Sequence, residues 1–387
     1  MPSSQNIITA IRSVVGEGSI ALHEPTFEGN EWHYLKDCLD SNYVSSVGEY
    51  VDRFESSLTA YTGAKYAIAV VNGTAALHVS LKLIGVEAND EVLVPTLSFI
   101  ATANAVSYCG AVPHFVDSET KSWGIDPEKL RDYLTSATEQ RSGLCINKAT
   151  GRVIRAVIAM HVFGHPCDIN QLLAICFDFN LLLVEDAAES IGSFYFGRHT
   201  GTLGSVGTLS FNGNKTITTG GGGAILTNNE KLAAEAKHIT KTAKVAHSWR
   251  YMHDQVGFNY RMPNINAALG CAQMERLPSL LQAKRELTRR YQHAFESLVE
   301  IKLQLEPFGC QSNYWLQAIQ LISGRQSELT NLLVESNANG LMTRPVWDLL
   351  HDQIPYQTAP KMDLANAVKI VSSVLNIPSS ANLVSES

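Results

Sequence analysis

The sequence contains no CxxC pair and no cluster of Cys with His, although seven cysteines are scattered through its 387 residues. Neither a disulfide framework nor a zinc site is thereby indicated, and the cysteines are expected as thiols in a reducing compartment. An excess of positive charge is also missing. Lys and Arg number 30 against 37 Asp and Glu, a net charge of −7, so nothing draws the chain to nucleic acid or to an anionic membrane. The amino-terminal stretch has neither the basic start nor the apolar block of a secretory signal, and a cytoplasmic location is the expectation. Internal repeats and low-complexity segments are absent too.

One uncharged run, 92–116, is long enough to span a bilayer. Pro95, Ser98, Thr102, Asn104, Gly110 and Pro113 interrupt it. They divide it into a strand at 91–94, a helix at 98–108 and a strand at 112–116, which is a βαβ unit buried in an α/β protein.

What is present is an ordinary globular composition, 45% apolar and 17% charged, with length enough for a large core. Apolar runs at 66–71, 91–94, 112–116, 154–159, 181–184, 208–211 and 224–226 alternate with helical patterns. This predicts a mostly parallel seven-stranded sheet flanked by helices. Asp168 with Gln171, and Asp126-Pro127-Glu128, read as helix starts. A long helical pattern follows Pro263 to about 298. Beyond it come a strand at 313–322, a helix at 325–337 and a last helix before Pro378. The expected division is 1–262, with an amino-terminal segment that packs across the large α/β domain, and 263–387, with a connecting helix and a smaller α+β domain.

Three segments could carry chemistry. Lys215 follows an apolar strand and precedes four glycines, Gly220 to Gly223. The spacing excludes a Walker phosphate loop, and for a lysine taken singly a solvated side chain beside a glycine-rich loop is the better reading. Asp186 ends the strand at 181–184, where α/β folds place ligands, and reads as a buried, paired carboxylate or as a helix cap. Thr74 and Ala75 open a helix after a strand, a turn whose free N–H groups suit a phosphate. An amine, an acid and an anion site at strand ends are together what pyridoxal 5′-phosphate (PLP) requires.

The motifs NGTAAL (72–77), DEVLVPTLSFIATANAV (90–106), HVFGHPCDI (161–169), VEDAAES (184–190), SFNGNKTITTGGGGA (210–224) and GFNYRMPNINAALG (257–270) make the chain resemble the PLP-dependent sugar aminotransferases of the DegT type, which have fold-type I. The resemblance implies that Lys215 carries the cofactor and that Asp186 partners its pyridine nitrogen. It places Glu189, where many members have Gln, near the ring, and Phe99 in stacking contact. Thr74, Ala75 and Ser210 would hold the phosphate, with Asn259 contributed by the neighbouring subunit of a homodimer whose active sites are shared.

His161, Asn214, Arg261, Arg344, Trp347 and His351 lie in segments that such enzymes place around the substrate. Structural roles for Arg261 at a dimer interface, and for His161 and Trp347 in the core, stand beside that reading. Gly221 replaces the acid of the commoner TTGEGG pattern. This form, with VEDAAES and RPVW (344–347), most resembles enzymes that aminate C4 of UDP-linked 4-keto N-acetyl sugars on routes to bacillosamine and legionaminic acid. The implied reaction is ping-pong transamination, with L-glutamate giving 2-oxoglutarate and PLP cycling through pyridoxamine phosphate; no metal is expected. The alternatives are another carbon, a dTDP- or GDP-linked sugar, or a regulatory protein that binds PLP without turnover.

Overall fold

All seven expected strands occur in the computed structural model, which describes residues 4–322 and 324–384. They lie side by side in the order Tyr66–Val70, Gly223–Thr227, Val206–Ser210, Leu182–Asp186, Val153–Met160, Glu91–Pro95 and Val112–Val116. Gly223–Thr227 runs antiparallel to both neighbours. The remaining pairs are parallel, which explains why these strands read as apolar runs: helices cover both faces. The hairpin Thr138–Arg141 and Leu144–Asn147 extends the sheet along the start of Val153–Met160. Its strands are four residues each, the first wholly polar, and gave no strand signal.

The helix starts are made as the sequence suggests. The Asp126 carboxylate accepts from the Lys129 N–H at 3.0 Å and Asp168 from the Gln171 N–H at 3.2 Å, each satisfying a donor that the first helical turn leaves free. The long helix spans Asn264–Phe295 and passes through Pro278 without ending. Helices Glu31–Asp40 and Glu49–Thr62 lie against it. Among the described residues, no helix is long and apolar enough to cross a membrane.

A second, antiparallel sheet joins Ile301–Leu303, Gln317–Leu321, Val374–Ile377 and Arg344–Pro345 in that order. The sequence reading differs here in two places. The stretch 313–322 is strand only from Gln317, because Ser312 to Leu316 turn toward the large sheet. The last helix, Ala365–Val371, stops before the strand Val374–Ile377, so it is a strand that leads into Pro378. Of the amino-terminal segment, Tyr50, Phe54 and Leu58 share a core with Ala67, Ala69 and Leu209 of the large sheet, while helix Ser4–Val15 lies elsewhere. Its Ile7, Ile8 and Ile11 pack with Leu287, Tyr291, Ile319, Leu329, Leu341 and Leu375, a seam worth roughly 1.5–3 kcal/mol for each aliphatic side chain fully buried.

Candidate active site

Asp186 closes the central strand Leu182–Asp186 and is almost wholly buried. Its carboxylate accepts from the Thr102 hydroxyl at 2.8 Å and from the Ala188 N–H at 3.2 Å. Burial raises its pKa, against the pull of the Thr102 hydroxyl, the Ala188 amide and the charges of Lys215 and His161. No cation among the described residues forms an ion pair with it, so a buried acid stands ready for a positively charged partner.

Lys215 sits on the turn beyond strand Val206–Ser210. Its Nζ is 3.1 Å from Glu189 Oε1 and 3.9 Å from the centre of the Trp315 ring. Glu189 is buried, and its other oxygen accepts from the Phe163 N–H at 2.9 Å. Burial pushes its pKa up to about 7, with the Lys215 charge offsetting only part of the cost. Phe163 adopts a left-handed backbone, φ 53°, which a bulky residue accepts only when its surroundings enforce it. Here that conformation turns its amide toward Glu189.

Small-domain residues close the site. The Asn313 amide donates to Glu189 O at 2.8 Å and to Ile191 O at 2.9 Å, while its Oδ1 accepts from the Trp315 N–H. Trp315 Nε1 donates to Asn214 O at 2.7 Å. Aromatic rings continue from Trp315 to Phe163, Trp347 and Phe99, with centres 6.2, 4.9 and 6.5 Å apart in turn. Phe99 is half exposed.

At helix Gly73–Leu83, Asn72 Oδ1 accepts from the Ala75 N–H at 2.7 Å. That cap engages Ala75, one of the two expected phosphate donors, and leaves the N–H groups of Gly73 and Thr74. The Ser210 side chain lies against Gly73. The glycine run has separate causes. Gly220 has φ +76°, a Cβ on Gly222 would overlap Thr219, and one on Gly223 would stand 2.5 Å from the Asn72 backbone. Gly221 meets nothing closer than 3.9 Å.

A model of the DegT/DnrJ/EryC1/StrS aminotransferase family matches residues 25–387. The chain belongs to that family. It is 36% identical over 338 residues to the GDP-perosamine synthase of Escherichia coli O157:H7, covering 87% of each chain. It is also 36% identical over 366 residues to the GDP-perosamine synthase of Caulobacter vibrioides, covering 94% of each. Among solved structures it is similar to a DegT DnrJ EryC1 StrS aminotransferase from Brucella abortus, with a TM-score of 0.80 and 27% identity over 91% of this chain and 90% of that one.

The residues of this PLP-dependent aminotransferase suit the cofactor. Asp186 is a buried acid without a cation, Lys215 is a reachable amine, and Gly73 and Ser210 form a cradle that a Cβ would fill. Asp186 would hold the pyridine nitrogen, Lys215 would bond to the aldehyde, Phe99 would face the ring, and Gly73, Thr74 and Ser210 would take the phosphate.

The softer candidates divide. His161 is fully buried, its Nε2 3.1 Å from Glu185 and its Nδ1 accepting from the Cys167 N–H. With both nitrogens engaged it is a core residue, and the expectation of substrate contact is corrected. His351 Nδ1 bonds the Thr96 hydroxyl at 2.7 Å. Asn214 and Arg344 are exposed, and Trp347 belongs to the aromatic wall. Arg261 is half-buried, its Nε shielded and without a hydrogen-bond partner among the described residues. Asn259 is exposed, and among the described residues its side chain bonds none of Lys215, Asp186 and Ser210. Sequence reasoning missed Thr102, Phe163, Asn313 and Trp315. The Thr102 hydroxyl on helix Ile100–Tyr108 and the Asn-Tyr-Trp run at 313–315 were the available signals.

Proposed function

We propose that this aminotransferase moves an amino group from L-glutamate to C4 of a nucleotide-linked 4-keto-6-deoxy sugar, UDP-2-acetamido-2,6-dideoxy-4-keto-hexose, for surface glycan synthesis. The observation that carries the chemistry is Lys215 held between Glu189 and Trp315, with its charge acting on the buried Asp186. PLP, when bound, supplies an electron sink for negative charge at the donor Cα and alternates with pyridoxamine phosphate.

The chain's own residues do the rest. A lysine at its ordinary pKa of ~10.4 is protonated at neutral pH and cannot act as a base. When the donor amine takes its place, Nζ is released neutral and can accept the Cα proton. Glu189 orients Nζ by hydrogen bonding, and Trp315 shields it from water. Asp186, held in place by the Thr102 hydroxyl and the Ala188 N–H, would face the positive charge at the pyridine nitrogen.

The GDP-perosamine synthases support a nucleotide-linked sugar. The GGGG, VEDAAES and RPVW motifs support the UDP-linked N-acetyl form. A GDP-linked substrate is the second reading, favoured by the 36% identity to those synthases. A homodimer fits the exposed Asn259, which would then serve the partner's site.

The test is mass spectrometry of products after incubating PLP-loaded enzyme with L-glutamate and, separately, UDP-, GDP- and dTDP-linked 4-keto-6-deoxy sugars. Amination of the UDP sugar is expected. Amination of the GDP sugar alone would establish the second reading, and none with any would remove both.

A further inference from the structure

Lys284, on helix Asn264–Phe295, is 1% exposed and forms no ion pair with a carboxylate among the described residues. Its Nζ lies 2.8 Å from Ser379 O, 3.1 Å from Trp315 O and 2.9 Å from His23 Nε2. Both protonation states of the amine satisfy these contacts. The ammonium donates to the two carbonyls and to the His23 lone pair, whereas the neutral amine donates to the two carbonyls and accepts the His23 Nε2–H. The amine therefore ties the long helix to the Trp315 turn and to the chain beyond strand Val374–Ile377 whatever its charge. Burying an amine is costly where an apolar side chain would fill the space, and Trp315 is the partner that gives it a use.

Trp315 is held at three points. Its N–H donates to Asn313 Oδ1 at 2.9 Å, its Nε1 donates to Asn214 O at 2.7 Å, and its carbonyl accepts from Lys284. The ring so fixed has its centre 3.9 Å from Lys215 Nζ. Asn214 adjoins Lys215 and belongs to the same turn, so that bond couples the indole to the turn without anchoring either. The Lys284 bond reaches a different support, a helix packed by Ser4–Val15, Glu31–Asp40 and Glu49–Thr62. Tyr314, next to Trp315, has a left-handed backbone with φ 48°. A bulky residue keeps that conformation only where its surroundings enforce it, and the bond to the Trp315 carbonyl is one such restraint.

We propose that Lys284 is a positioning residue: by fixing the Trp315 carbonyl to the long helix it holds the indole over Lys215 Nζ and so limits access to that amine. The inference rests on the aminotransferase reading for its catalytic consequence, whereas the cover over Nζ belongs to the cofactor-free chain and is measurable there.

Competitive labelling of cofactor-free protein with acetic anhydride, read by mass spectrometry at Lys215 relative to the exposed Lys65, measures the cover. Native protein, Lys284→Met, Trp315→Ala and the double variant are compared, with circular dichroism as the check on folding. Lys284→Met and Trp315→Ala should each raise Lys215 labelling about fivefold, and the double variant should differ from Trp315→Ala by less than about twofold, because both changes remove one cover. In PLP-loaded Lys284→Met, loss of the visible band on adding L-glutamate should slow about tenfold. Lys284→Gln, which keeps an N–H donor on a shorter stem, should raise labelling in the same direction and carries the test if Lys284→Met does not fold. Lys215 labelling at the native level in the folded variant, or an effect that multiplies with that of Trp315→Ala, would overturn the proposal. A native enzyme indifferent to glutamate, with the labelling result intact, would count against the parent reading alone.

Discussion

Glu189 Oε1 and Lys215 Nζ lie 3.1 Å apart, an ion pair that joins the VEDAAES segment to the lysine turn. The pair is unequal: Lys215 retains some exposure, whereas Glu189 is buried and titrates at about 7. One partly hydrated ammonium does not repay the desolvation of a buried carboxylate.

A pH dependence follows. In the unfolded chain this carboxyl ionises near 4.5, and in the folded protein near 7. Between those values the fold keeps a proton that the unfolded chain has lost. The group's contribution to stability is therefore full below pH 4.5 and declines as pH rises to about 7, by on the order of 3 kcal/mol. In cofactor-free protein, Glu189→Gln should match the native chain near pH 5 and exceed it at pH 8 in denaturant midpoint. Parallel pH profiles for the two proteins would refute this assignment.

Asp186→Asn keeps the shape of the group and removes its charge. Cofactor should still bind through Lys215 and the phosphate cradle, while kcat falls on the order of 10²-fold. Steady-state kinetics beside the bound-PLP absorbance separates the two effects. An unchanged kcat would remove Asp186 from the chemistry.

Within the glycine run the expected costs differ by position. Gly223→Ala drives a Cβ into the Asn72 backbone, where no side chain can yield, and should lose about 2–3 kcal/mol together with phosphate affinity. Gly221→Ala points into open space and should change stability by less than about 0.5 kcal/mol. Chemical denaturation of the two variants, with PLP titration, checks the contrast.

The large sheet was legible because parallel strands covered on both faces lose polar alternation, and Asn, Asp and Gly mark their ends. Asp186, Lys215 and the turn at Thr74 stand at those ends, so their grouping followed from topology. The cap at Asn72 was not foreseen, and it shifts the free amides from Ala75 to Gly73. Trp315 and Asn313 were hidden inside an apparent strand because their role depends on contacts with residues more than 90 positions away. His161 illustrates the converse: a polar residue at a strand end whose two nitrogens are satisfied by the core. The small sheet was harder to read, since strands of two to five residues leave little periodicity.

The central claim is that Lys215 carries the transamination. The direct measurement is the visible spectrum of the PLP-loaded protein before and after excess L-glutamate, and again after the UDP-linked 4-keto sugar, with Lys215→Ala in parallel. The account predicts a band that L-glutamate bleaches and the sugar restores in the native enzyme, and no catalytic turnover in Lys215→Ala. A native band indifferent to glutamate, or turnover that persists in Lys215→Ala, would contradict it.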